Sequence, residues 1–182
     1  GRYERAMDSF GRALELARAS GDRHGETYAL HGLGDVHRMR GEHGEAAGHY
    51  ARLLRLARAT GDRNGQFEAH DGLGRCRHAA GDDEQALAHH RTALALATDL
   101  GQPHDECRAH DGLAHAHQAL GDVERARRHW RAALDILTHH GRDYTWDPQV
   151  TAAALRARLG SLDGALAEPR AESGGGDLRV PG

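Results

Sequence analysis

The sequence predicts an all-α fold, a solenoid of stacked antiparallel helix hairpins. Three observations lead to this prediction: the chain has a regular internal repeat, each unit of the repeat holds two stretches with helical apolar spacing, and aromatic residues make up only 4% of the chain. Sheet-rich folds depend on aromatic and β-branched residues. The composition therefore favours helices, and the repeat indicates that they are stacked in an array.

The repeat period stays constant along most of the chain, with no insertion or deletion between units. Residues that recur 40 apart include Leu33, Leu73 and Leu113, then Gly41, Gly81 and Gly121, then Ala46, Ala86 and Ala126. A second turn in each unit is marked by Gly21, Gly61, Gly101 and Gly141. Each unit thus contains two stretches of similar length, separated by glycine-containing turns.

Both stretches of a unit have the pattern of a helix. In the segment 42–60, the apolar positions Ala46, Tyr50, Leu53 and Ala57 follow the spacing of a helix face. The first stretch of each unit is more polar and carries paired glycines in its middle, Gly32 and Gly34 in the first unit and Gly72 and Gly74 in the second. A glycine inside a helix costs roughly 1 kcal/mol relative to alanine. Its recurrence at one phase therefore predicts a close approach of two helices.

The chain divides along this period. We expect the second helix of an incomplete repeat over 1–20, three full repeats over 21–60, 61–100 and 101–140, degenerate capping helices over 141–168 and a flexible tail over 169–182.

The repeated positions resemble the tetratricopeptide repeat (TPR). The residues that carry the resemblance are Leu33, Gly34, His37, Gly41, Ala46, Tyr50 and Leu53 in the first full repeat, Leu73, Gly74, Gly81, Ala86, His90 and Ala93 in the second, and Leu113, Ala114, Gly121, Ala126, Trp130 and Ala133 in the third. Tyr3, Ala6, Phe10 and Ala13 match the second helix of an initial half unit. The period is longer than the one usual for this family, and Leu30, His70 and His110 replace the usual early aromatic.

The resemblance implies a right-handed solenoid that binds proteins. The amino-acid sequences of segments 21–26 and 30–35 are most similar to those of the C-terminal TPR arrays of actinobacterial SARP and STAND regulators.

The sequence also supports predictions about both ends of the array. The chain begins with Gly1 on a second helix, so we expect a fragment of a longer protein in which Met7, Phe10 and Leu14 form an exposed apolar face able to support a homodimer. Near the other end, Asp147-Pro148 is a helix-start signal, and we expect one helix to about Leu159 and a short one over 162–167.

Several classes of function are disfavoured by composition and motifs. No apolar run approaches the roughly 18 residues of a membrane span. Two cysteines, Cys76 and Cys107, fit a reducing cytoplasm and lie too far apart along their helices to bridge. Phosphate-binding glycine loops are absent, and the arginine runs on the second helices, Arg52, Arg55 and Arg58, then Arg125, Arg127, Arg128 and Arg131, are interpreted as solvated faces rather than a nucleic-acid surface.

Sixteen histidines raise the question of a metal site. The dipeptides His70-Asp71 and His110-Asp111 have the residue types of a metal-dependent hydrolase, but they lie one period apart, so repeat duplication explains them. No two histidines have the i, i+3 or i, i+4 spacing that places two ligands on one helix face. Ligation between neighbouring helices, such as His78 with His115, stays open. The sequence predicts no cofactor, no metal and no enzyme activity, and it names His70 and His110 as the histidines most sensitive to pH.

The predicted binding site is the concave groove, because the first helix of each repeat lines this groove in TPR arrays. Its inward stripe comprises Tyr28, His31, Asp35 and Arg38, then Glu68, Asp71, Arg75 and His78, then Arg108, Asp111, His115 and Gln118. The stripe is polar at nearly every position, which a buried core does not tolerate. We expect Asp71 and Asp111 to capture basic groups or backbone N–H groups of a bound segment. The alternative to a binding groove is an ordinary solvent-exposed concave surface.

The sequence therefore predicts a cytoplasmic module that binds a protein or peptide segment, either as the sensor part of a larger regulator or as a passive assembly scaffold.

Overall fold

Eight helices follow one another in a computed structural model that describes residues 1–139 and 150–167. They are α1 Arg2–Ser20, α2 Arg23–Met39, α3 His43–Thr60, α4 Arg63–Ala79, α5 Asp83–Leu100, α6 Pro103–Ala119, α7 Val123–His139 and α8 Ala152–Ala167. The described residues contain no strand. The predicted all-α helical-repeat solenoid is confirmed. The segment 169–182 and the dipeptide Asp147-Pro148 lie outside the described residues.

The turns are short because the sequence supplies a stop and a start at each one. Helix α1 ends at Gly21, whose φ of 74° lies in the left-handed region that favours glycine. The backbone N–H of Asp22 donates to Ala17 O at 2.8 Å, as in a Schellman cap. The Asp22 carboxylate then accepts a hydrogen bond from Gly25 N and begins α2. All six turn glycines have positive φ, namely Gly21, Gly41, Gly61, Gly81, Gly101 and Gly121.

The contacts between helices define an inner and an outer row. Each helix packs against its neighbours along the chain. In addition α2 contacts α4 and α4 contacts α6, whereas the described residues show no such contact among α1, α3, α5 and α7. The helices α2, α4 and α6, here called the inner helices, are therefore closer together and line the concave face. The outer helices α1, α3, α5 and α7 form the convex side.

The core is organised around one ring on each outer helix. Phe10, Tyr50, His90 and Trp130 occupy this position, one in each successive unit. A Cβ added to Gly34 or to Gly72, on the inner helices before and after Tyr50, would lie 2.6 Å or 2.5 Å from a carbon of the Tyr50 ring. One glycine from each sequence pair, Gly34 of the first unit and Gly72 of the second, therefore forms a wall of the space that holds the Tyr50 ring between successive inner helices.

Two glycine-to-alanine substitutions are expected to have opposite effects on stability. Gly72→Ala forces a Cβ into the Tyr50 ring, which Gly34 contacts from the other side, so we expect a loss of about 1–3 kcal/mol. Gly48→Ala adds a Cβ with no atom within 4 Å, so we expect the helix-propensity gain of about 1 kcal/mol. Urea unfolding of the two variants measures both, and stabilisation by Gly72→Ala would contradict this account of the ring.

The prediction of an exposed apolar face on α1 was wrong for the residues named. Leu14 is buried, and Met7 and Phe10 are half-buried. Phe10 and Leu14 belong to the core that α1 shares with α2 and α3, because an outer helix packs against the inner helix that follows it. The exposed large apolar side chains of α1 are instead Tyr3 and Leu16. Homodimerisation through α1 stays a prediction, which a concentration-independent monomer in sedimentation would contradict.

The described residues 150–167 form one helix where a break between two was expected. Helix α8 runs without a break from Ala152 to Ala167. Thr151 Oγ1 accepts a hydrogen bond from Ala154 N at its start. Gly160 lies between the two expected helices, but a glycine inside a helix costs only about 1 kcal/mol, and α8 gains burial of Leu155 and Leu162. None of the described helices is both long and apolar enough to cross a bilayer.

Candidate functional site

The twelve residues of the predicted stripe all lie on the inner helices, but they differ in exposure. Tyr28 and Gln118 are exposed, and Asp71 and Asp111 are buried. The other eight, His31, Asp35, Arg38, Glu68, Arg75, His78, Arg108 and His115, are half-buried. The stripe therefore has a buried floor and a polar surface above it.

The expectation that Asp71 captures a ligand needs correction. Its side chain is only 1% exposed. Arg75 Nε lies 3.0 Å from Asp71 Oδ2, Arg108 Nη2 lies 2.9 Å from the same oxygen, and His90 Nδ1 is 3.3 Å from Oδ1. Burial alone would raise the pKa of Asp71, but the charges of Arg75 and Arg108 outweigh it and hold this pKa well below the usual range. A buried carboxylate is tolerated here because three cationic or imidazole groups surround it.

Asp111 is committed in the same way. Trp130 Nε1 donates to Asp111 Oδ1 at 2.9 Å, and Arg158 of α8 donates to the same oxygen at 2.6 Å. His115 Nε2 lies 3.6 Å from Oδ2. Both acids of the predicted ladder thus hold the inner helices to the ring position and to each other, although Asp111 also lines a pocket on the concave face.

The first full repeat makes the same kind of contact with a different residue order. Tyr50 Oη donates to Asp35 Oδ1 at 2.9 Å, and Arg38 Nη2 donates to the same oxygen at 3.2 Å. His31, at the position of Asp71 and Asp111, lies 3.4 Å from Asp35 Oδ2. In each repeat a carboxylate on the inner helix therefore meets the polar atom of the ring on the following outer helix.

A chain of ion pairs crosses all three inner helices. His31 Nε2 of α2 lies 3.3 Å from Glu68 Oε2 of α4. Arg108 of α6 donates to both Glu68 oxygens, at 3.1 Å and 2.9 Å, and also to Asp71. Its guanidinium carbon lies 5.0 Å from the centre of the Phe67 ring. Bidentate pairing of this kind fixes geometry as well as charge.

The ion pairs shift the pKa values of their members. Burial would raise the pKa of Glu68, but the hydrogen bond from His31 and the charge of Arg108 lower it to about 2. Burial opposes protonation of His31, but its hydrogen bond to Glu68 and the charges of Glu68 and Asp35 raise its pKa. Burial raises the pKa of Asp105 to about 6 against the effect of Arg108. The groove therefore holds Glu68 ionised and favours the charged form of His31.

An open pocket of about 260 Å³ lies on the concave face. It is lined by Arg38, His43, Arg75, His78, His90, Asp111, Gly112 and His115. Five of these belong to the predicted stripe. His43 and His90, both on outer helices, were not predicted, although His90 shares its position in the repeat with Tyr50 and Trp130.

The structure brings several histidines together in pairs. His78 and His115, suggested above as a pair between helices, have ring centres 5.9 Å apart. His70 Nδ1 lies 3.0 Å from His89 Nδ1, and the pair His110 and His129, one period later, has the same separation. Within the described residues no group of three or more histidines, cysteines or acids has an arrangement that could hold a metal ion.

The two His-Asp dipeptides do not form a site. His70 contacts His89 on the outer helix α5, whereas Asp71 contacts Arg75 and Arg108 on the inner helices. Neighbouring residues of a helix point in different directions, about 100° apart. The same divergence separates His110 from Asp111, so the described side chains do not converge on one ion.

The remaining candidates have structural roles or exposed positions. Cys76 and Cys107 are free and buried, and burial raises the pKa of the Cys76 thiol to about 11, which leaves it unreactive. Arg52, Arg55 and Arg58 lie on the outer helix α3 and are all exposed. The sequence did not predict a role for Arg158, because this residue lies on α8, outside the periodic part of the chain.

Comparison with known proteins gives the family. A family model for the tetratricopeptide repeat matches residues 1–59 and 29–99, which together are more than half of the chain. BtubC (BKLC) from P. vanneervenii has a similar structure, with a TM-score of 0.73 and 20% identity over 92% of this chain and 68% of that chain. The TPR domain of Arabidopsis FLU aligns with a TM-score of 0.61 and 21% identity over 64% of this chain and 98% of that chain. At these identities the two structures support the fold alone, and no curated protein matches the sequence. The family model, the stacked hairpins and the glycine-lined ring position together show that the chain belongs to the tetratricopeptide repeat family.

Proposed function

We propose that the chain binds a segment of a partner protein along the concave face of the inner helices. Tetratricopeptide repeats generally mediate protein–protein interactions, and the fold is typically a non-catalytic scaffold. The partner, whether another protein or another domain of the same protein, is part of the proposal.

The observation that carries the proposal is the ion-pair chain from His31 through Glu68 to Arg108. It ties α2, α4 and α6 together across the groove, so the relative positions of the inner helices are set before a ligand arrives. A preformed surface loses less conformational entropy on binding than one that must order itself. Above this chain, the exposed Tyr28 side chain and the open pocket supply contact area and polar groups.

We further propose that this binding serves a larger regulator, in which a ligand changes the arc of the solenoid and thereby the state of an attached domain. The resemblance of segments 21–26 and 30–35 to regulator arrays supports this role. A passive scaffold is the alternative. An upstream helix-turn-helix or phosphate-binding loop in the full-length gene product would favour the regulator.

A peptide selection tests the binding proposal. A random twelve-residue library displayed on phage is selected against the immobilised chain, and the affinities of the enriched peptides are then measured by fluorescence anisotropy. We expect Tyr28→Ala combined with His115→Gln to weaken binding by about tenfold or more, equivalent to about 1.4 kcal/mol. Arg52→Ala combined with Arg55→Ala, on the convex side, serves as the matched control. Enriched peptides that respond only to the convex variant would place the site elsewhere.

A further inference from the structure

We propose that the concave pocket receives an anionic side chain of the bound segment, phosphorylated or carboxylic, through Arg38, His78 and His115. This inference rests on the proposed function and specifies its ligand. It also reverses the expectation from the sequence, in which acidic residues of the groove would capture basic groups.

The groups that line the pocket are mostly basic side chains. Two guanidinium groups and four imidazoles face a single carboxylate, that of Asp111. The Asp111 side chain is only 5% exposed, and its Oδ1 already accepts hydrogen bonds from Trp130 and Arg158. The guanidinium groups supply N–H donors and each neutral imidazole supplies one more, which an acceptor-rich group would satisfy.

Some hydrogen-bonding capacity in the pocket remains unused. Arg38 Nη2 donates to Asp35, but Arg38 Nε is buried and has no hydrogen-bond partner. His43 Nδ1 is likewise buried and has no hydrogen-bond partner. His90 Nδ1 also makes no hydrogen bond, although it lies 3.3 Å from an Asp71 oxygen. A buried polar group without a partner costs about 1–3 kcal/mol. A ligand oxygen placed in the pocket is positioned to recover part of that cost.

The neighbouring acids are already paired. Asp71 is enclosed by Arg75 and Arg108, and Asp35 is engaged by Tyr50 and Arg38. A lysine entering the pocket would face the Arg38 and Arg75 guanidinium groups, and the one carboxylate among the lining residues, that of Asp111, is already paired with Arg158. Like charges in this arrangement repel, whereas a carboxylate or phosphoryl oxygen would accept charge-assisted hydrogen bonds.

The size of the pocket limits what can enter. A cavity needs about 10–15 Å³ of volume measured in this way to hold one water, so the pocket of about 260 Å³ has room for one side chain with several waters. It does not have room for a folded element. The bound group is therefore a side chain of an extended or helical segment that lies along the groove.

The experiment uses the peptides selected for groove binding. Each is resynthesised with an acetylated N-terminus and an amidated C-terminus, so that its charge resides in side chains only. The residue that decides affinity is found by alanine scanning and replaced in turn by phosphoserine, glutamate, glutamine and lysine. We expect the glutamate or phosphoserine peptide to bind at least about tenfold tighter than the lysine peptide, and the ratio between the two anionic peptides distinguishes a phosphoryl from a carboxyl ligand.

Two pocket variants locate the effect. Arg38→Gln and His78→Gln are expected to remove most of the preference for the anionic peptide, while Arg55→Gln, an exposed arginine of α3, leaves it unchanged. Circular dichroism and thermal melting check that the variants are folded. Groove peptides that prefer lysine or glutamine, or an anionic preference that survives both pocket variants, would overturn this inference and leave the proposed function standing. If the selected peptides do not respond to groove variants at all, the proposed function itself fails.

Discussion

Asp71→Ala is expected to lower the free energy of unfolding by about 3–5 kcal/mol, the usual loss when one partner of a buried ion pair is removed. The carboxylate is 1% exposed and is the shared partner of Arg75, Arg108 and His90. Without it, Arg75 and Arg108 each lose a buried carboxylate partner, although Arg108 keeps its pairs with Glu68 and Asp105. Equilibrium unfolding in urea, followed by far-ultraviolet circular dichroism, measures the loss.

Asp99→Ala provides the matched control. The distance from Arg63 Nη2 to Asp99 Oδ2 is 2.7 Å, shorter than either ion pair of Asp71 with an arginine. Both partners are exposed, with side-chain accessibilities of 49% and 63%. Exposed ion pairs contribute about 0–1 kcal/mol, so Asp99→Ala should cost under about 1 kcal/mol. Equal losses in the two variants would show that Asp71 does not have the role assigned to it.

Acidification is expected to destabilise the protein strongly between pH 6.5 and pH 4. Burial, followed by the charge of its partner His89 and of Arg58, lowers the pKa of His70 to about 4. Burial and the charge of His110 lower the pKa of His129 to about 4 as well. The pKa values of His89 and His110 are also lowered, chiefly by burial. At 3.0 Å the two Nδ1 atoms of a pair can share one proton, but a second proton sets two N–H groups against each other.

The direction of the effect follows from linkage. A histidine whose pKa is lower in the folded state contributes its full stability above its unfolded pKa of about 6.5 and loses that contribution as the pH falls through its folded pKa. Glu68 and Asp71 act only at lower pH, near and below the usual pKa of a carboxyl group. His31 and Asp105, whose pKa values are raised, have the opposite sign and offset part of the loss.

The first repeat supplies the variant that tests this expectation. Leu30 occupies the position of His70 and His110 and is buried. His70→Leu combined with His110→Leu should therefore fit the fold and make the free energy of unfolding fall less steeply between pH 6.5 and pH 4. His24→Leu, at an exposed position, is the control. If the double variant has the same pH dependence as the parent, the histidine pairs are not responsible for the acid lability.

Periodicity in the sequence was sufficient for the helices, and the resemblance to TPR arrays supplied the place of the groove. Glycines at a fixed phase end each helix, and apolar residues at helical spacing give each helix one buried face. The depth of a side chain within the groove could not be found in this way. Asp71 and Asp111 have the spacing of surface residues, but the inner helices approach one another closely, so Arg108 of the next repeat covers the first and Arg158 of α8 covers the second.

The failed expectations share a physical cause. Periodicity describes one helix at a time, whereas burial of a polar group is decided by residues 37 and 47 positions away, as for Arg108 with Asp71 and Arg158 with Asp111. The anionic ligand that we propose for the pocket rests on the same long-range pairing. An acid counted as available in the sequence is already neutralised in the fold, and the arginines and histidines beside it remain.

The glycine walls around Tyr50 and His90 have a consequence for how such an array can change over time. The walls are backbone atoms of Gly34 and Gly72 at Tyr50 and of Gly74 and Gly112 at His90, so the space itself accepts a flat ring. The carboxylate that pairs with the ring's polar atom lies on the inner helix of the same repeat. A duplicated unit would therefore bring its ring and the matching carboxylate together. The array can in this way be lengthened by whole units.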